Sequence, residues 1–326
     1  MREPNTQYIL SLSYGKDSLA CLEAIRLLGL PLDRIVHAEL WATDAIPADL
    51  PPMVEFKQKA DRIIKERYGI TVEHICATRE REREREERLS YEKQFYTLQF
   101  SKERQDYRLY GFPVRKGQWC TSKLKTEVLT KFFNQSNIRN AVLRDTDKGN
   151  EKQSFSRQNS RFSDTSDAVV QFPIENTTIE QGAFSQCPKH KGHKTNVVQY
   201  LGIAADEPER IERHTKQGII LPLVELGWDE QMCRKWCEEN DLLSPIYTTA
   251  TRGGCWFCHN QGVEQLRLLR KDYPEYWELM LKWDNDSPVT FHPDGHTVHD
   301  FEKRFAAEDK GLIKAGDTKF RWKQVL

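Results

Sequence analysis

The chain lacks a surplus of charge of either sign: its 326 residues carry 49 Lys+Arg and 49 Asp+Glu. This excludes a global basic field of the kind that holds nucleic acid without regard to sequence, while leaving room for a local patch. Long apolar runs are missing as well, so no segment has the length to span a bilayer and no membrane partner is expected. The opening residues, Met1-Arg-Glu-Pro-Asn5, lead into a strand pattern with no secretory apolar core, and the expected location is cytoplasmic. Eight cysteines in a chain of this length and pattern do not form a disulfide framework.

What is present is concentrated near the amino end. The apolar run Tyr8-Ile-Leu-Ser-Leu12 passes into Ser13-Tyr14-Gly15-Lys16-Asp17-Ser18, and an amphipathic helical pattern (Leu19, Cys21, Leu22, Ile25, Leu28) begins at once. A strand, a tight polar loop and a helix start together make an anion site, because the free N–H groups of the first turn and the helix dipole both favour negative charge. Gly15 allows close backbone approach. Ser11, Ser13 and Ser18 offer hydroxyls, Lys16 offers a cation, and Asp17 is expected as the N-cap. The loop has neither the Walker spacing nor the dinucleotide G-x-G-x-x-G pattern.

Strand patterns at 8–13, 35–41 and 71–75 alternate with helical patterns at 18–28 and from Pro51 to Tyr68, the latter closed by Gly69. This alternation predicts βαβ units and a parallel sheet, with ligands at the carboxyl ends of the strands. The loop lies at that edge, as does Trp41-Ala-Thr-Asp44, and Asp44 joins the candidate nucleotide contacts. The run Arg79–Arg88, which alternates in sign, reads as a solvated helix laced with i, i+4 ion pairs. Residues 145–196 have the composition of a polar insert. Strand character resumes at 197–203, a helix opens at Pro208, and strand and helix units are predicted at 219–224 and 229–239. The expected organisation is a core in two parts, 1–144 and 197–250, around the insert, with a helical lobe at 251–326. The aromatic residues of that lobe are expected to form core rather than a stacking platform.

Cys21 and Cys76 read as small buried hydrophobes, and Cys233 with Cys237 as packing on one helix face. The others sit in polar or glycine-rich contexts. Gly253-Gly-Cys255-Trp-Phe-Cys258 is a C-x-x-C on a tight turn able to aim two thiolates at one ion. A redox dithiol remains an alternative, but such pairs usually cap a helix directly after the first strand of their sheet.

With these motifs in hand, the loop resembles the pyrophosphate (PP) loop, Ser-Gly-Gly-Lys-Asp-Ser, of the adenine nucleotide alpha-hydrolase superfamily. Tyr14 replaces the first glycine and is expected to narrow the loop or cover the phosphates. Trp119-Cys120-Thr121 at a helix start, Gly202-Ile-Ala-Ala-Asp-Glu-Pro-Glu-Arg210 and the C-x-x-C extend the resemblance to the phosphoadenosine phosphosulfate (PAPS) reductase-like family. The resemblance implies an α/β fold with a Rossmann-like parallel sheet of about five strands between helices. It also implies an adenine nucleotide, ATP (with Mg²⁺) or PAPS, on Ser13–Ser18, with Lys16 and Asp17 as catalytic groups and Arg210 near the anion. Cys120, Cys255 and Cys258 are the implied ligands of a [4Fe–4S] cluster or Zn²⁺. Thr121 stands where a further Cys is found in the family, which leaves Cys187, His190, His193 or His259 to complete the set.

One departure matters most. True reductases end in a Glu-Cys-Gly-x-His segment, whereas this chain has no Cys after Cys258. The resemblance therefore points first to an ATP-dependent enzyme of adenylation or sulfur transfer with a Cys-ligated metal centre. Its second substrate would be anionic, nucleic acid included, met by a rim of Arg115, Lys116, Lys123, Lys125 and Arg252, and a sulfur donor is an expected partner. The alternatives are a sulfonucleotide reductase that uses an unusual thiol such as Cys187 with a thioredoxin-like reductant, and a non-catalytic nucleotide-binding module of a defence or mobile-element system.

Overall fold

The computed structural model describes residues 2–81, 85–101, 105–114, 118–135, 138–140, 195–248, 253–317 and 320–325, all within one compact unit. Its first half runs β1 (Thr6–Ser11), α1 (Lys16–Leu27), β2 (Arg34–Glu39), α2 (Pro51–Tyr68) and β3 (Val72–Cys76). Two hairpins and a short helix follow: β4 (Thr78–Arg81), β5 (Arg85–Arg88), α3 (Tyr91–Phe95), β6 (Leu98–Ser101) and β7 (Asp106–Leu109). Next come α4 (Trp119–Thr121), a π-helical stretch (Ser122–Thr126), α5 (Glu127–Gln135), β8 (Ile138–Asn140) and β9 (Thr195–Leu201). The rest is helical: α6 (Pro208–Thr215), α7 (Pro222–Leu226), α8 (Glu230–Glu239), a 3₁₀ turn (Pro245–Thr248), α9 (Val263–Asp272), α10 (Pro274–Asp286) and α11 (Val298–Asp309). Among the described residues no helix is long and apolar enough to cross a membrane.

Strands β3-β2-β1-β9 form the body of a parallel sheet, and the three-residue β8 pairs along the outer edge of β9. The period-two alternation of each strand decides its two faces. Tyr8, Leu10, Ile35, Val198 and Tyr200 pack under α1, α2, α7 and α8. Ile9, Val36 and Val197 turn the other way, onto Phe133 of α5. The chain order runs outward from β1 to β3 and returns on the far side through β9. The switch point, where such sheets open a crevice at their carboxyl edge, therefore lies beside β1.

The C-terminal aromatics are core. Trp256, Phe257, Trp277, Trp283, Phe291 and Phe301 are buried in one cluster with Tyr91, Phe95 and Trp119. Each large side chain so buried contributes about 1.5–3 kcal/mol.

Two predicted elements differ. Arg79–Arg88 is not a helix; it supplies both strands of the β4–β5 hairpin. Strict alternation places like charges at i and i+4, which opposes a helix. In the hairpin, the doubled Glu86-Glu87 places Arg79 opposite Glu87, with which it pairs, while the same register sets Glu80 opposite Glu86 and Arg81 opposite Arg85. The strand expected at 219–224 shrinks to one bridge, Ile220 with Tyr200. Pro222, with its fixed φ and no N–H, starts α7 instead. The insert, apart from Thr195 and Asn196, lies outside the described residues.

Candidate functional site

The loop joins the carboxyl end of β1, the strand flanked by β2 and β9, to the start of α1. Gly15, with extended backbone (φ −76°, ψ 156°), occupies the N-cap position, and no side chain caps the helix. Asp17 is thus not the N-cap; it lies one position inside the first turn. Ser18 staples the bend: its hydroxyl donates to the Gly15 carbonyl (2.9 Å) and accepts from the Ser13 N–H (3.2 Å) and the Ser13 hydroxyl (3.0 Å). Ser11 faces the neighbouring strand, where its hydroxyl accepts from the Gln199 amide at 2.9 Å. The turn is closed from the β9 side by Gly202, whose position leaves no room for a side chain. A Cβ there would come within 2.5 Å of the Asp17 carbonyl oxygen and 2.6 Å of the Ser18 Cα.

Tyr14 adopts left-handed backbone (φ 57°), a conformation that suits glycine and costs a bulky residue about 1–2 kcal/mol. Its side chain does not cover the loop. It is fully buried beneath it, where the hydroxyl bonds to Asp61 of α2 and lies 3.1 Å from His74 Nε2. Its ring meets the edge of His37 with centroids 4.8 Å apart. His37 in turn lies between the Leu12 carbonyl (2.8 Å from Nδ1) and the Lys57 ammonium (2.9 Å from Nε2), and Lys57 pairs with Asp49. With Lys57 donating to Nε2, the His37 proton sits on Nδ1 and is donated to Leu12. Burial, then the nearby Lys57 charge, hold the His37 pKa well below its ordinary value. A polar network thus braces both ends of the bend from below.

Above the loop, Lys16 Nζ contacts both carboxylate oxygens of Asp17 (2.9 and 3.1 Å) and Glu230 of α8 (3.2 Å). Burial disfavours its charge, but Asp17 and Glu230 outweigh burial and hold the ammonium above its ordinary range. Asp17 is pushed up, chiefly by burial, against the pull of Lys16 and with help from Glu230 and Glu207. Asp17, Glu207 and Glu230 are the one group among the described residues with three ligand atoms within 4.8 Å of one another, the donor type that Mg²⁺ takes. Their charge is already met by Lys16 and by Arg210, which holds Glu207 at 2.5 and 2.7 Å. Arg210 is accordingly engaged with its own helix end. Asp44 is exposed and pairs with Lys93 at 2.7 Å, away from the loop residues it was expected to join. The Lys16 N–H itself is taken by the Tyr247 hydroxyl at 3.2 Å.

The second cluster gathers three of the predicted cysteines. Cys120 at the start of α4, and Cys255 and Cys258 on a turn closed by a 3.0 Å backbone bond, line one cavity of about 180 Å³ with Gln118, Lys125 and His259. The turn is docked on the segment after β2: the Trp256 N–H donates to the Ala48 carbonyl (3.0 Å) and its indole to the Pro47 carbonyl (2.9 Å). Burial, then repulsion from Asp49 and more weakly from the neighbouring thiols, pushes Cys255 up to about 12 against the pull of Lys125; Cys120 is raised mainly by burial. A cation would relieve that repulsion, and metal binding takes the deprotonated form. The three sulfurs are not drawn within 4.8 Å of one another. A tetrahedral zinc–thiolate site, with Zn–S of ~2.3 Å, requires about 3.8 Å. His259 Nε2 lies 3.1 Å from the Gln118 amide. Lys123 is paired with Glu127 at 2.7 Å. Cys187, His190, His193, Arg115, Lys116 and Arg252 lie outside the described residues.

Several site residues carry no local sequence signal: Glu230, Tyr247 and the His37–Lys57–Asp49 set reach the loop only through the fold. The π-helical stretch Ser122–Thr126, which carries Lys125 to the cavity, likewise has no periodicity of its own, although such stretches recur at functional sites. No family model, curated protein or solved structure matches this chain.

Proposed function

We propose that the protein is a PP-loop enzyme of the PAPS reductase-like type within the adenine nucleotide alpha-hydrolase fold. It binds ATP with Mg²⁺ and carries out adenylation or sulfur transfer beside a cysteine-ligated metal centre. The observation that carries this reading is the shared edge of the two clusters. The loop opens at the carboxyl end of β1, and the thiol cavity, lined by Leu40, opens at that of its neighbour β2. A nucleotide held at the first would share this sheet edge with the thiols of the second.

In this reading the α1 N-terminus and Lys16 meet charge that develops on the leaving pyrophosphate. Asp17, with Glu207 and Glu230, is the set that would hold Mg²⁺ once Lys16 turns to phosphate. Cys120, Cys255 and Cys258 would hold a [4Fe–4S] cluster, which supplies or relays sulfur when bound. Lys125 at the cavity wall would attract an anionic acceptor, nucleic acid included. The test is conversion of ATP to AMP and pyrophosphate by the anaerobically purified protein. Lys16→Ala is expected to abolish it while leaving the thermal transition in place; undiminished AMP formation by that variant would remove the loop from the mechanism.

A further inference from the structure

Both groups of Lys16 that an incoming anion would meet at the loop are already partnered within the chain. The Lys16 ammonium is held by Asp17 and Glu230, and the Lys16 amide by Tyr247. The Tyr247 contact is the most informative. Tyr247 lies 231 residues further along the chain, on the 3₁₀ turn Pro245–Thr248. Its hydroxyl reaches over the bend, 3.5 Å from where a Cβ on Gly15 would lie. An oxygen that accepts from a first-turn N–H, beside the side-chain-free face of Gly15, occupies the position a phosphate oxygen takes at such a helix start. The turn is anchored independently of the loop: the Ser244 hydroxyl lies 3.1 Å from Met53 Sδ of α2 and accepts from the Ile246 N–H at 3.3 Å. Tyr247 can therefore rotate away without the turn unfolding.

We propose that Tyr247 is a removable plug of the anion cradle. Its hydroxyl stands in for a phosphate oxygen in the free protein and is displaced when polyphosphate binds, with Glu230 playing the same part at the ammonium. This rests on the nucleotide-site reading above and adds to it a residue that sets affinity. Binding exchanges a neutral hydroxyl for an anion at the Lys16 N–H, and the plug is a fixed competitor that every ligand must outbid.

The test is calorimetric titration of the intact chain with inorganic pyrophosphate, for wild type, Tyr247→Phe and Lys16→Ala. Tyr247→Phe keeps the ring and its packing, and removing one neutral competitor is expected to tighten pyrophosphate about fivefold. Lys16→Ala is expected to lose binding. If wild type binds and Tyr247→Phe binds equally or more weakly, the plug is overturned while the nucleotide site stands, a weaker affinity meaning that the hydroxyl contacts the bound anion. If neither wild type nor Tyr247→Phe binds pyrophosphate, the nucleotide-site reading itself falls and takes the plug with it.

Discussion

The Tyr14 hydroxyl donates to the Asp61 carboxylate, tying the bend of the loop to α2 on the far side from any ligand. Tyr14 holds a left-handed backbone that its side chain disfavours, and the bonds to Asp61 and His74 offset that strain. A buried anchor thus holds at a tyrosine a backbone conformation that glycine adopts freely.

Tyr14→Phe is therefore expected to lower stability by about 1–3 kcal/mol, since it removes a buried hydrogen bond to a carboxylate, although Asp61 keeps His74 as a partner at 2.9 Å. Tyr14→Gly relieves the backbone but empties a fully buried site, and the larger loss, about 3–5 kcal/mol, is expected there. Urea denaturation of the two variants checks the order. A glycine variant as stable as wild type would show that the anchor is dispensable.

Gly202→Ala is expected to cost about 1–3 kcal/mol, because the Cβ would meet main-chain atoms of Asp17 and Ser18 that cannot move without shifting α1. Gly254→Ala, at a position with nothing within 4 Å, is the control and should stay within about 0.5 kcal/mol. Thermal melts of the pair would contradict the close approach if both behaved alike.

Acid sensitivity should trace in part to His37. The unfolded chain takes up a proton there near pH ~6.5, whereas the folded chain, with His37 buried beside Lys57, does so only at much lower pH. The folded-state value is depressed, so the stabilisation is complete above pH ~6.5 and declines as pH falls toward the folded value, by up to about 1.4 kcal/mol per pH unit. His37→Gln should flatten the fall in urea midpoint between pH 6.5 and 5. Parallel profiles for variant and wild type would exclude His37 as the source.

Metal content tests the thiol cavity. Anaerobically prepared wild type is expected to contain iron and acid-labile sulfide, and single Cys120→Ser, Cys255→Ser or Cys258→Ser changes should each remove most of it. One zinc per chain without sulfide would replace the cluster by a structural clip, and unchanged metal in all three variants would place the centre elsewhere.

The parts legible in the sequence were those with a local period or a local turn. The β1–loop–α1 junction is written in an apolar run, six polar residues and a 3.6-residue pattern. Helix α2 is bounded by Pro51 and Gly69, and the buried aromatics of α10 recur at helical spacing. The run Arg79–Arg88 shows the limit of such reading: its period of two was visible, but only the strand register reveals that Arg79 answers Glu87.

Sequence alone determined which groups could do chemistry here: a lysine and amides at a helix start, and a cysteine pair on a glycine turn. Tertiary structure decided what those groups touch. Tyr247 reaches Lys16 across 231 residues, Glu230 does so from α8, and Tyr14 turns inward to Asp61. Backbone periodicity is settled by neighbours within a few residues, whereas a partner for a buried charge is supplied by whichever distant element the sheet order brings alongside.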